Sequence, residues 1–126
     1  MKVLVIEDEA TSRKLASLVL GSGGHQVLDA ESAEQAIDTV CQNKPEIILL
    51  DLALPGMDGF AFARQLKQDS KTSHIPIVAV TSYPERFSRE EAFRAGCDAY
   101  IVKPIDTRKL SGQVEAVAAN LLPRNK

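Results

Sequence analysis

The sequence predicts an α/β fold, a five-stranded parallel sheet doubly wound by helices on both faces, and three observations predict it. Five short aliphatic runs alternate with five segments of helical periodicity along the 126 residues. The run Glu46-Ile-Ile-Leu-Leu-Asp51 is aliphatic without alternation, which suits a strand buried on both faces. Several runs also end on residues that carry chemistry, at the carboxyl edge where open α/β sheets bind ligands. Right-handed crossovers follow from parallel pairing. Strand order does not follow from periodicity.

In chain order, Lys2 to Ile6 reads as a buried strand, followed by the acids Glu7, Asp8 and Glu9. Thr11 to Leu20 places Leu15, Leu18 and Val19 at helical spacing, and Gly21-Ser-Gly-Gly24 supplies a stop. His25 to Leu28 is a short strand. Ser32 and Gln35 form a capping box for a helix whose inner face is Ala33, Ala36, Ile37 and Val40, ended by Asn43-Lys-Pro45. The strand to Asp51 follows, Pro55-Gly56 turns the chain, and Asp58 opens a helix with Phe62 and Leu66 one turn apart and Phe60 anchoring its start. Gln68 to His74 reads as a loop. Ile75 to Val80 is the fourth strand, with Pro76 near its start where a missing donor is tolerated, and it ends at Thr81-Ser82. Ser88 and Glu91 fit another capping box, for a helix from about Arg86 or Ser88 to Ala95 closed by Gly96, with a thin apolar stripe. Ala99 to Val102 is the fifth strand and hands over to Lys103-Pro104. Asp106 is the expected N-cap of a last helix striped by Leu110, Val114, Val117 and Leu121 and ended by Pro123.

A chain of this length forms one domain, taken as residues 1–126. Hydrophobic residues at 44% and charged residues at 25% are ordinary globular values. A net charge of −2 and a pI near 5.7 give no footprint for direct nucleic-acid binding. No apolar stretch reaches membrane-spanning length, and Glu7-Asp8-Glu9 follows the first aliphatic run too soon for a signal peptide, so a cytoplasmic protein is expected. Cys41 and Cys97 lack metal-ligand spacing and read as reduced thiols. His25 and His74 have no partners at ligand spacing and read as surface residues.

The ends of the strands would bring Glu7, Asp8, Asp51, Thr81 and Lys103 to one edge. Three clustered carboxylates repel one another unless neutralised, and a hard divalent cation such as Mg²⁺ does so with oxygen ligands. An adjacent lysine and hydroxyl suit an incoming phosphoryl group. Taken singly, Asp51 reads equally as a turn cap, Glu7 and Asp8 as solvated loop acids, and Lys103 as a surface lysine. The arginines at 86, 89 and 94 read as a solvated helix face or a partner surface.

Five stretches in this order resemble the receiver domain of two-component response regulators: Val-Leu-Val-Ile-Glu7-Asp8-Glu9, Leu-Leu-Asp51-Leu-Ala-Leu-Pro-Gly-Met-Asp-Gly59, Val-Ala-Val-Thr81-Ser, Ala-Gly-Cys-Asp-Ala-Tyr100 and Val-Lys103-Pro104. The resemblance runs from Val3 to about Leu121. It implies the flavodoxin-like strand order 2-1-3-4-5, for which a receiver protein is itself a standard example. It further implies that Asp51 accepts a phosphoryl group from a phosphohistidine of a sensor kinase or phosphotransfer protein. Asp8 and Asp51 would ligate Mg²⁺ directly, Glu7 through water, and the Ala53 carbonyl would complete the set. Lys103 would pair with the phosphoryl oxygens, and Thr81 would move to bond one of them. Tyr100 matches the switch aromatic, although it could also pack without switching, and Pro104 matches a position preceded by a cis bond.

The expected function is a phosphorylation-dependent switch without an output domain, read by a downstream protein at helix four, strand five and helix five, as a monomer or a phosphorylation-dependent dimer. It is not an enzyme beyond its own phosphotransfer and self-dephosphorylation. The latter is expected to be slow, since neither Ala53 nor Tyr83 carries a carboxylate or amide to orient water. A haloacid-dehalogenase-like phosphatase would need an acid where Ala53 stands, and no GxxxxGK[ST] loop is present. The remaining alternative is a phosphorylation-independent interaction module.

Overall fold

The computed structural model describes residues 1–119. Its elements are β1 (Lys2–Ile6), α1 (Ala10–Ser22), β2 (Gln26–Ala30), α2 (Ala33–Asn43), β3 (Ile47–Asp51), α3 (Gly59–Gln68), β4 (Ile77–Thr81), α4 (Arg89–Arg94), β5 (Ala99–Val102) and α5 (Leu110–Ala119). The sheet is parallel, in the order β2-β1-β3-β4-β5. Among the described residues no helix is long and apolar enough to cross a membrane.

The unalternating aliphatic strands fill two cores at once, because successive side chains leave opposite faces of the sheet. Leu4, Ile6, Ile48, Leu50, Ile77 and Ala79 pack with Phe62, Leu66 and Val40 under α2, α3 and α4. Val3, Val5, Ile47, Leu49, Val78 and Val80 pack with Ala16, Leu20, Leu110 and Val114 under α1 and α5. Each fully buried large side chain stabilises by about 1.5–3 kcal/mol, which fixes the register: a one-residue slip would exchange the two cores.

The N-caps of α2, α3 and α4 form as expected, but the return bonds of the two capping boxes do not, since Gln35 Oε1 accepts from Glu31 N at 2.6 Å and Glu91 Oε1 from the Ser88 hydroxyl at 3.2 Å. Ser32 Oγ accepts from Gln35 N at 3.1 Å, Asp58 Oδ1 from Ala61 N at 2.9 Å and Ser88 Oγ from Glu91 N at 3.2 Å. Gly59 is required where it stands, since a Cβ there would lie 2.7 Å from Leu52 Cα. That close approach folds the loop after β3 back under the start of α3.

Other expectations need correction. Helix α1 begins at Ala10 because Glu9 caps it, accepting from Ser12 N at 2.8 Å, and it runs through Gly21 to a C-cap at Gly23. Its inner face is Ala16 and Leu20, whereas Leu15 is 43% and Leu18 59% exposed. The sequence offers two apolar stripes, and small Ala16 is the one that lets the helix approach the sheet. Strand β2 is Gln26–Ala30, shifted along from the expected start at His25, and β4 begins only at Ile77. Asp106 instead stabilises a turn ahead of α5, accepting from Arg108 N at 2.9 Å. Leu121 and Pro123 lie outside the described residues.

His25 is not a surface residue. Its side chain is nearly buried, with Nε2 2.9 Å from Glu115 Oε2 and 3.1 Å from Ser111 Oγ, both on α5. His74 is exposed as expected.

Candidate functional site

Register assembles the site. Ile6 pairs with Leu50, so Glu7 and Asp8 leave β1 beside Asp51 at the end of β3. Thr81 pairs with Val102, and Lys103 N donates to Thr81 O at 2.8 Å, which carries the lysine back over the acids. One carboxylate oxygen from each of Glu7, Asp8 and Asp51 lies within 4.8 Å of the others. Glu7 and Asp51 are buried and Asp8 is exposed.

Lys103 Nζ stands 2.5 Å from Glu7 Oε1 and 3.1 Å from Asp51 Oδ2. The other Asp51 oxygen accepts from Ala53 N at 2.9 Å. Burial, reinforced by the neighbouring Asp51 carboxylate, pushes the Glu7 carboxyl up to about 7, and the bond from Lys103 offsets this only in part. Burial works against the Lys103 charge, but the two carboxylates outweigh it and hold its pKa above the ordinary lysine value. Lys103 thus serves the two buried acids, with the exposed Asp8 beside them, and buried Glu7 binds its proton more tightly than a free carboxyl. This all-oxygen, under-neutralised donor set fits a hard divalent cation such as Mg²⁺.

Thr81 is fully buried, and its Oγ1 accepts from Tyr83 N at 2.9 Å. The Tyr100 hydroxyl donates to the Phe87 carbonyl, and the Arg89 guanidinium lies 5.4 Å from the centre of its ring. The side chains of Arg86 and Arg89 both lie over aromatic rings, Arg86 being 5.2 Å from Phe87 and 5.7 Å from Tyr83. Arg86, Arg89 and Arg94 are all exposed, in keeping with a solvated face. The peptide bond before Pro104 is cis.

Sequence reasoning missed Arg13. Its guanidinium donates to the Glu7 carbonyl at 2.9 Å and reaches toward Glu31 Oε2 at 3.8 Å, tying the loop that carries the acids to the loop after β2. The available signal was its position one turn into the helix that follows those acids.

A family model described as response regulator receiver domain matches residues 3–115. The chain is 37% identical over 115 residues to the phosphate regulon transcriptional regulatory protein PhoB of Pseudomonas aeruginosa, covering 91% of this chain and 50% of that protein. It therefore spans about half the length of such regulators. Protein PilH of the same organism is 34% identical, covering 94% of this chain and 98% of its own length. The chemotaxis response regulator CheY4 of Vibrio cholerae superposes with a TM-score of 0.84 at 26% identity, covering 92% of this chain and 97% of that one. With its strand order, its edge of acids and lysine, and these matches, the chain belongs to the response regulator receiver domain family, the phosphoryl-accepting domains of two-component signalling.

Proposed function

We propose that residues 1–126 form one cytoplasmic receiver domain that switches on phosphorylation, with Asp51 as the acceptor. The observation that carries this reading is the Asp51 carboxylate, buried between Lys103 Nζ at 3.1 Å and the Ala53 N–H at 2.9 Å, with Glu7 and Asp8 beside it. The donor is a phosphohistidine on a sensor kinase or phosphotransfer protein. An Asp51 oxygen attacks phosphorus, the P–N bond breaks as the P–O bond forms, and the electron pair leaves on the imidazole. Little covalent work falls to the protein, so positioning and charge dominate.

Glu7, Asp8, Asp51 and the Ala53 carbonyl would hold Mg²⁺, which when bound supplies positive charge to the phosphoryl oxygens. Lys103 exchanges its carboxylate partners for those oxygens as a point charge. Thr81 gives up the bond that its Oγ1 accepts from the Tyr83 N–H and donates its hydroxyl to a phosphoryl oxygen, and Tyr100, whose hydroxyl bonds the Phe87 carbonyl ahead of α4, follows it inward. The surface of α4, β5 and α5 is then read by a downstream protein, as monomer or dimer, with no nucleic-acid or membrane contact. Phosphorylation shifts this equilibrium only by its differential interaction with the two states.

The test is labelling by a small phosphodonor. Asp51→Asn should abolish Mg²⁺-dependent labelling while the circular dichroism spectrum stays native. Retained labelling would refute Asp51 as acceptor, and absent labelling of the unaltered protein would favour a phosphorylation-independent interaction module.

A further inference from the structure

Between α1, the sheet and the segment after β5 lies a cavity of about 400 Å³ that reaches the acid site. Its floor is Val5, Leu49 and Val80, on the same face of the sheet as Asp51, and Leu15 and Ala16 of α1 form one wall. Ile105 closes the other side, and Asp51 and Lys103 stand at its polar end. On the helix side Ala16 faces the sheet and Leu15 stands half exposed at the rim. None of the residue roles proposed above uses this apolar space. It is large enough for a small organic ligand and has the usual character of such sites, apolar walls with a few convergent polar groups.

We infer that this cavity seats the acyl group of an organic acyl phosphate, so that the protein takes its phosphoryl group from donors with an aromatic or branched acyl group in preference to acetyl phosphate. The inference rests on Asp51 being the acceptor. Among the described residues Lys103 is the one lysine lining the cavity and it stands beside Asp51, so the phosphoryl end belongs there and the carbon end against Val5, Leu49 and Leu15. In the reaction the Asp51 oxygen attacks phosphorus and the bond from phosphorus to the acyl oxygen breaks. The electron pair leaves with that oxygen as a free carboxylate, and no proton or further reactant is needed. Enclosing a phenyl rather than a methyl group removes more apolar surface from water, favouring the larger donor.

The experiment compares initial rates of Asp51 phosphorylation by benzoyl phosphate and acetyl phosphate in Mg²⁺, read by phosphate-affinity electrophoresis. Ala16→Leu fills the cavity from the helix side, and Leu15→Gln makes its rim polar without touching the core. The benzoyl-to-acetyl rate ratio should fall about fivefold or more in Ala16→Leu and about twofold to threefold in Leu15→Gln, as lost apolar burial requires. Taking each ratio against the unaltered protein cancels the intrinsic reactivity of the donors. An unchanged ratio in the rim variant, and in the filled variant if it folds, would overturn the cavity assignment and leave Asp51 as acceptor. No labelling of the unaltered protein by either donor would overturn both.

Discussion

Removing the charge of Lys103 while keeping its bulk, as in Lys103→Met, isolates what one cation does among three acids. The lysine touches Glu7 at 2.5 Å and Asp51 at 3.1 Å, and the side chains of those acids are only 7% and 8% exposed. Breaking a buried pair by deleting one partner costs about 3–5 kcal/mol, since it strands a buried charge. Glu7 has a way out, because its carboxyl already titrates near 7 and rises further once the lysine is gone. At about pH 6 Glu7 is protonated and can donate to Asp51, so the loss shrinks to that of a hydrogen bond, about 1–2 kcal/mol. At about pH 8.5 the second charge returns and the loss approaches about 3 kcal/mol. The assay is urea denaturation in EDTA at both values, with Mg²⁺ added to recover part of the loss at the higher one. Equal losses at the two pH values, or a gain in stability in EDTA, would refute this account of the site.

In EDTA the unaltered protein should lose stability as pH rises from the unfolded Glu7 value of about 4.5 through about 7, because the folded state binds that proton more tightly, and Glu7→Gln should remove this window in pH-dependent denaturation. Lys67 Nζ donates to the carbonyls of Ser73 at 3.1 Å and Ile75 at 2.7 Å and pairs with Asp98 at 3.3 Å, holding the approach to β4. Lys67→Met should cost about 2 kcal/mol in urea denaturation while leaving Mg²⁺-dependent labelling intact. On the proposed acceptor role of Asp51, its phosphoryl group should be lost slowly once the donor is removed, since neither Ala53 nor Tyr83 carries a carboxylate or amide to orient water; decay within seconds in Mg²⁺ without a phosphatase would contradict this.

The elements easiest to read were those whose signals are local. Ser32, Asp58 and Ser88 cap the helices they precede because the bond spans only three residues. The aliphatic strands reveal themselves because burial on both faces leaves no polar alternation to confuse them. Helix α1 misleads because Leu15-Ala16 and Leu18-Val19-Leu20 offer two stripes, and only packing against the sheet and α5 selects Ala16 and Leu20. His25 looks solitary because its partners Ser111 and Glu115 come more than eighty residues later.

The sequence by itself determined the βα alternation, the two-sided burial of the strands and the delivery of Glu7, Asp8, Asp51, Thr81 and Lys103 to one edge, because each depends on strand parity and strand ends. Only the tertiary structure decided that Lys103 bonds Glu7 more closely than Asp51, that burial pushes the Glu7 carboxyl up to about 7, and that a cavity opens between α1 and the β5–α5 segment. These depend on distances between residues as far apart in the chain as Glu7 and Lys103, and packing of whole elements sets such distances.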